Sequence, residues 1–323
     1  MSTSADTAAR EVEADLVVDA VRQESDGVVS LRLIAPGDRE LPTWAPGAHV
    51  DLMLPNGAVR QYSLCGDPAD RASWRLGILR EPQSRGGSSF VHDSVKKGTV
   101  LRTRGPRNNF ALADSPRYRF IAGGIGITPI LPMIAAAHAA GADWTLHYGG
   151  RSRRSMAFLD ELGAYGDRVT VLAADEVGLP DLDALLGSPE PDTLVYCCGP
   201  GGLLDAVEQR CAAWPAGALH LERFAAKEPA SAADDAAFEL LLQESGLNLT
   251  VPADKSVFEV VREAGVNVVG SCFEGVCGTC ETGVVDGEVD HRDSVLSPAE
   301  REENEVMMIC VSRCRSGRLT LEL

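Results

Sequence analysis

Residues 271–280 read SCFEGVCGTC and place Cys272, Cys277 and Cys280 within one short loop. The next cysteines downstream are Cys310 and Cys314. A C-x4-C-x2-C run followed by a distant fourth cysteine is the plant-type pattern for a [2Fe–2S] cluster. Gly275, Gly278 and Thr279 are small enough to let the loop wrap closely and aim backbone N–H groups at the sulfurs. Such donors stabilise the negative charge added on reduction. A zinc staple is the competing reading, but zinc ribbons usually present two C-x2-C pairs. Cys310 is the fourth ligand that the spacing favours, although Cys314, four residues on in VSRCRSG, is also in reach.

Working outward, FELLLQESGLNLTVP reads as two strands around a Ser245–Gly246 turn, followed by a short helix in SVFEVVREAG. AAKEPASAADDAA, before it, has the composition of a linker. Upstream, YRFIAGG, WTLHYGG, RVTVLAA and TLVYCCG are buried strands that alternate with helical stretches, the signature of a parallel, doubly wound sheet. In TPILPMIAAAHAA, Thr128 is expected as the N-cap and Pro129 at the first helical position. Between Asp15 and about Leu112, short alternating apolar runs (VVSLRLIAP, HVDLMLP, WRLGILR) broken by Gly, Pro, Asn and Asp predict an antiparallel β-barrel. The domain plan is a disordered N-terminus over 1–14, a barrel over 15–113, an α/β domain over 114–225, a linker over 226–236 and an α+β domain over 237–323.

Three further motifs carry chemistry. In RQYSL, an aromatic followed by a hydroxyl on a strand suits the face and edge of an isoalloxazine ring, and Arg60 suits a phosphate. SRGGSSF, with Gly86, Gly87 and Ser88, reads as an anion-cradling turn at a helix start. AGGIGITP joins a strand to a helix, with Gly123, Gly124 and Gly126 permitting close approach of a pyrophosphate. It lacks the full G-x-G-x-x-G. GGRSRRS and CCGPGG follow later strands at the carboxyl edge of the sheet, where nucleotides bind.

RQYS, RGGSS, PRNNF, GGIGITP, CGP, LERF and the cysteine cluster, in that order, resemble the phthalate dioxygenase reductase family, which includes vanillate demethylase reductase components. The resemblance implies an FMN domain with a ferredoxin-reductase-type barrel, an NADH-binding domain and a C-terminal β-grasp ferredoxin. It assigns Arg60, Gln61, Tyr62 and Ser63 to the flavin, and Gly86, Gly87 and Ser88 to its phosphate. Gly123, Gly124, Gly126, Thr128, Arg151, Ser152, Cys198, Gly199 and Pro200 go to the nicotinamide nucleotide, and Phe224 to the neighbourhood of the flavin ring. Arg153 and Arg154 leave NADPH open beside NADH.

The expected activity is a reductase that takes a hydride from NAD(P)H and passes single electrons through the cluster to a Rieske non-haem iron oxygenase, or to a cytochrome P450. A zinc-stapled module that senses NAD is the alternative of a different class. Neither a general acid nor a general base is expected among the six histidines, and His291 is expected to be structural or solvated. The net charge of −17 argues against nucleic acid as a partner. From Asp234 to the end, 18 acids face 7 bases, a net of −11 that suits either solubility or docking to a basic partner. The N-terminus resembles no secretory signal, and the apolar run FIAGGIGITPILPMIAAA is broken by Gly, Thr and Pro. A cytoplasmic, membrane-free monomer with reduced thiols is therefore expected.

Overall fold

The computed structural model describes residues 11–37, 39–84, 86–225 and 235–323. The chain divides into two compact units, residues 1–222 and 223–323.

The first unit opens with six antiparallel strands: β1 (Val12–Ser25), β2 (Val28–Ile34), β3 (His49–Met53), β4 (Val59–Ser63), β5 (Ser73–Leu79) and β6 (Val100–Arg107). Their order is β4-β3-β6-β1-β2-β5, and a bridge between Leu64 and Leu76 brings the two ends together into a barrel. Alternation drives it: inward Leu31, Leu33, Val50, Leu52, Leu76 and Ile78 are fully buried and fill the barrel. Residues 12–14, expected within the disordered N-terminus, are the first rungs of β1, with Val12 paired to Gly105. Residues 1–10 of that expectation lie outside the described part.

Five parallel strands follow: β7 (Arg117–Gly123), β8 (Asp143–Gly150), β9 (Val169–Ala173), β10 (Thr193–Cys198) and β11 (Leu219–Glu222). Their order, β11-β10-β7-β8-β9, reverses direction at β7, the switch point where ligands bind in such sheets. Phe120, Trp144, Tyr148 and Tyr196 are buried at the centre of this layer, and Val28, Cys65 and Phe110 of the barrel region join the same core. The barrel and the parallel sheet are thereby one packed body. The helix Ile127–Ala139 covers the sheet; it starts without a side-chain cap, and Thr128 sits inside it. Its hydroxyl donates to Ile125 O at 2.9 Å, so Thr128 satisfies the preceding turn and is not the N-cap.

The second unit contains β12 (Phe238–Leu242), β13 (Leu247–Val251), β14 (Glu281–Asp286), β15 (Val289–Asp290), β16 (Val306–Met308), β17 (Arg313–Cys314) and β18 (Arg318–Leu321). The main sheet runs β13-β12-β18-β14-β16, with β12 and β18 parallel. Gly246, at φ 67, closes the β12–β13 hairpin at the expected turn. The helix Val257–Glu263 begins at a Ser256–Glu259 capping box and buries Val257, Phe258 and Val261 against the sheet. The expected linker lies outside the described residues from 226 to 234. Its penultimate residue, Asp235, is held by Arg292 at 2.5 and 3.0 Å. No helix among the described residues is long and apolar enough to cross a membrane.

Candidate functional site

The RQYS strand and the RGGSS turn, far apart in sequence, meet at one end of the barrel. Asn56, in the β3–β4 turn, donates to Gly86 O at 2.7 Å. Arg60 lies across Gly87 so closely that a Cβ there would stand 2.6 Å from Arg60 Cγ and 2.7 Å from its Nε. Gly86, at φ 81, turns the chain into the helix Gly87–Ser94, whose first turn carries no side-chain cap. Backbone N–H groups and a guanidinium thus converge, a fitting cradle for a phosphate. Ser88 contributes differently from its expected role. Its hydroxyl accepts from Glu81 N at 3.1 Å and lies 3.2 Å from Ser84 Oγ, so it braces the turn.

On β4, alternation puts Arg60 and Tyr62 on one face and Gln61 and Ser63 on the other. Tyr62 packs against the barrel core, and burial pushes its hydroxyl up to about 12. The Gln61 amide donates to Asp51 at 2.8 Å, so this side chain supports a charged network. Asp51 is fully buried and also binds Arg104 at 2.7 Å and Arg107 at 2.6 Å. Ser63 is buried, yet among the described residues its Oγ has no hydrogen-bond partner. A buried orphan hydroxyl at the end of the aromatic-bearing strand fits a flavin, whose polar edge would satisfy it.

The nucleotide turns are held together by glycine. A Cβ on Gly126 would stand 2.3 Å from Cys198 O, and one on Gly123 would stand 2.7 Å from Pro200 Cδ. Residues 123–126 and 198–200 therefore press backbone on backbone at the carboxyl ends of β7 and β10. Cys198 is fully buried with its sulfur 3.9 Å from Glu222 Oε2. Burial raises the Glu222 carboxyl from its ordinary value to about 8. No sequence motif assigns Glu222 a role, although LERF contains it. Ser152 caps the turn after β8, and Arg151 is exposed beside it. Arg153 pairs with Glu176 at 2.9 Å and Arg154 with Asp26 at 3.3 Å.

One seam joins the two halves of this unit. Leu64, next to Ser63, bridges Leu76, and the adjacent Gly77 abuts Thr128 of the nucleotide turn. Arg75, on the same strand, binds Glu161 at 2.8 and 3.0 Å and stacks over Phe158. Phe224, an exposed aromatic, lies near the start of the second unit.

In the second unit Cys272, Cys277, Cys280 and Cys310 come together: Cys277 hydrogen-bonds with Cys272, and Cys310 with both Cys272 and Cys280. Cys277 is raised by its bond with Cys272 and then by burial. At Cys310 the bond with Cys272 pulls down, but the bond with Cys280 and burial outweigh it and push the thiol up to about 12. Four thiols gathered by one short loop and the Cys310 strand end, with Cys277 and Cys310 pushed up, fit a cationic cluster core that would take them as thiolates. The expected N–H donors are present. Glu274 N donates to Cys272 Sγ at 3.3 Å, and Gly275 and Thr279 backbone N–H groups donate to Cys310 and Cys277. Gly275, at φ 68, has no room for a side chain: a Cβ would stand 2.6 Å from Val311 Cγ2. Asp293 props the loop from behind, accepting from Val295 N and Leu296 N while its neighbour Ser294 donates to Gly275 O. Cys314 stands in β17, opposite Val289 and beside Ser316.

Residues 240–315 match the 2Fe-2S iron-sulfur cluster binding domain family, which sets aside the zinc-stapled alternative. The chain is 43% identical over 311 residues to a phenoxybenzoate dioxygenase subunit beta from Ectopseudomonas oleovorans, covering 95% of this chain and 97% of that one. Among solved structures it is similar to phthalate dioxygenase reductase, described as a modular structure for electron transfer from pyridine nucleotides to [2Fe-2S]. The identity is 34%, the TM-score 0.70, and 97% of this chain and 98% of that one are covered. It is also similar to an intact type IV self-sufficient cytochrome P450 monooxygenase, with 42% identity and a TM-score of 0.91, and spans 41% of that longer chain. The chain belongs to the phthalate dioxygenase reductase family of electron-transfer oxidoreductases that serve oxygenase systems.

Proposed function

We propose that this chain oxidises NADH and delivers single electrons, through FMN and a [2Fe–2S] cluster, to a separate Rieske non-haem iron oxygenase. The observation that carries the reading is the seam at Gly77, which supports a flavin cradle and a nucleotide turn side by side in one rigid unit. When bound, the flavin takes a hydride's two electrons and passes them on singly to the cluster. Arg60 and the first-turn N–H groups after Gly86 would hold its phosphate, Tyr62 its ring and Ser63 its polar edge. Gly123, Gly124 and Gly126 would admit the pyrophosphate, with Cys198, Gly199 and Pro200 against the nicotinamide and Arg151 and Ser152 at the adenosine ribose. Cys272, Cys277, Cys280 and Cys310 would ligate the cluster.

NADH is favoured over NADPH, because Arg153 and Arg154 are engaged by Glu176 and Asp26 and the Glu176 carboxylate opposes a 2′-phosphate beside the Arg151 loop. The protein works in the cytoplasm as a monomer, in keeping with nine cysteines of which none is joined in a disulfide. A cytochrome P450 is the second reading of the partner, favoured by the similarity to a chain that carries one. The acidic second unit suits a basic docking face on either partner, so reduction of the partner should slow as salt rises. The deciding experiment is the visible spectrum of the purified protein under argon. Flavin and cluster absorption that NADH bleaches supports the proposal; a colourless protein ends it.

A further inference from the structure

Four large apolar side chains of the second unit are exposed among the described residues: Phe224, Val269, Phe273 and Val285. Two of them, Val269 and Phe273, flank the three residues Gly270, Ser271 and Cys272 at the entrance to the cysteine loop. Phe273 follows Cys272 directly and is 50% exposed. Its ring is nevertheless fixed. It meets Phe258 edge-on, with centroids 5.1 Å apart and planes at 72°. Arg262, one turn along the same helix, stacks over Phe258 at 5.6 Å. Gly270 leaves room for both rings, since a Cβ there would stand 2.7 Å from Phe258 Cε2 and 2.8 Å from Phe273 Cε1.

The backbone at Phe273 has φ 56, the left-handed region that a bulky side chain rarely adopts. Gly275 and Gly278, in the same loop, take φ 68 and 72 without steric cost. A glycine at 273 would meet the same need. The ring is held there against the preference of its backbone, and such an outlier points to a use for the side chain. Cys272 is also the one cysteine of the four assigned to the cluster that is not buried. The aromatic ring therefore adjoins the least covered edge of that site.

We propose that Phe273, with Val269, is the apolar anchor on which the electron acceptor docks, and that the acceptor presents an apolar recess rimmed by basic side chains beside its metal centre. Between residues 254 and 276, Asp254, Glu259, Glu263 and Glu274 stand against two bases. Lys255 is engaged by Glu263, and Arg262 is stacked on Phe258. An acidic neighbourhood suits a basic rim, and a fixed aromatic ring within it suits a recess that excludes water. Charge then sets the rate of encounter, while the ring holds the complex together. Because packing already fixes the ring, it has little freedom left to lose on docking.

The inference rests on the electron-transfer reading above. Its test uses the full-length holoprotein, with cytochrome c as a basic haem-protein acceptor, and the variants Phe273→Ala, Phe273→Gly and Val269→Ser. Affinity for ferric cytochrome c is measured by calorimetry without NADH, and the rate of its reduction with NADH, each at low and high ionic strength. Both Phe273 variants should weaken binding about tenfold and slow reduction to match, with the slope of rate against salt unchanged. Phe273→Gly relieves the left-handed strain, so its loop should keep the cluster absorption of the parent. Val269→Ser should act in the same direction by a smaller factor. Parent-like affinity in Phe273→Gly and Val269→Ser overturns the anchor, as does a defect that disappears at high salt. Should both Phe273 variants lose cluster absorption, Val269→Ser alone decides. Self-association of the parent in sedimentation, abolished in Phe273→Ala, would make a second copy the occupant and also overturn the proposal. A protein without flavin and cluster absorption refutes the electron-transfer reading instead, a result distinct from failure of the anchor in a coloured protein.

Discussion

Thr128 of the nucleotide turn presses its methyl group on Gly77 of the barrel strand β5. A Cβ on Gly77 would stand 2.7 Å from Thr128 Cγ2 and 3.1 Å from the Phe158 ring. Gly77 follows Leu76, which bridges Leu64 beside Ser63. With the flavin and nucleotide placed as proposed, the contact therefore sets how far apart the flavin edge and the nicotinamide turn are held. Gly77→Val should wedge the seam open. Stopped-flow reduction of the flavin by NADH should slow about a hundredfold, since misplacement by about 1 Å has effects of that order. Flavin content should stay near stoichiometric.

Arg60 over Gly87 makes a second prediction. Gly87→Ala should push the guanidinium off the anion cradle and remove a charge-assisted bond of about 1.5–3 kcal/mol. Affinity for FMN, measured by fluorescence titration of the apoprotein, should fall about ten- to hundredfold. Gly98→Ala makes a useful contrast: with φ 88 it strains a turn, but open space surrounds it. It should leave FMN affinity in place.

Asp51 is fully buried between Arg104 and Arg107. Asp51→Asn removes the buried counter-charge of two guanidinium groups, leaving the exposed Glu11 to face them, and should destabilise the first unit by about 3–5 kcal/mol in denaturant titration. Although burial opposes ionisation, Arg107 and the surrounding hydrogen bonds hold the Asp51 carboxyl below its usual range. Its contribution is therefore complete above the ordinary carboxylate value and is lost as pH falls through the folded one.

Glu222 has the opposite sign. Its folded value, about 8, lies above the ordinary 4.5, so the fold favours the protonated form. Between those two values the unfolded chain binds fewer protons than the folded one, and stability declines as pH rises. Glu222→Gln should raise the melting temperature at pH 8 by about 2–4 °C, with the gain vanishing toward pH 4.5. Equal gains at both pH values would contradict the assignment.

Local spacing made the cluster loop, the strand–helix turns and the order of the sheets legible in the sequence, because each is written in consecutive residues. The cross-strand facts were not. Gln61 sits inside RQYS, yet register turns it toward Asp51. Ser88 sits inside RGGSS, yet it is engaged by Glu81 and Ser84. Thr128 has the sequence look of an N-cap but lies within its helix, because a short turn at Gly124–Gly126 starts the helical path earlier. The roles of Gly77 and Glu222 depend on what the fold brings opposite them. A lone charge in the apolar strand HVDLM was the one signal that could have pointed to the Asp51 network.

The central claim is an order of transfer, from NADH to flavin to cluster to partner. Cys277→Ser tests it most directly, with NADH oxidation assayed against ferricyanide and against cytochrome c in the same preparation. The account predicts that ferricyanide reduction persists and one-electron transfer to cytochrome c is abolished. Equal loss of both activities would contradict it.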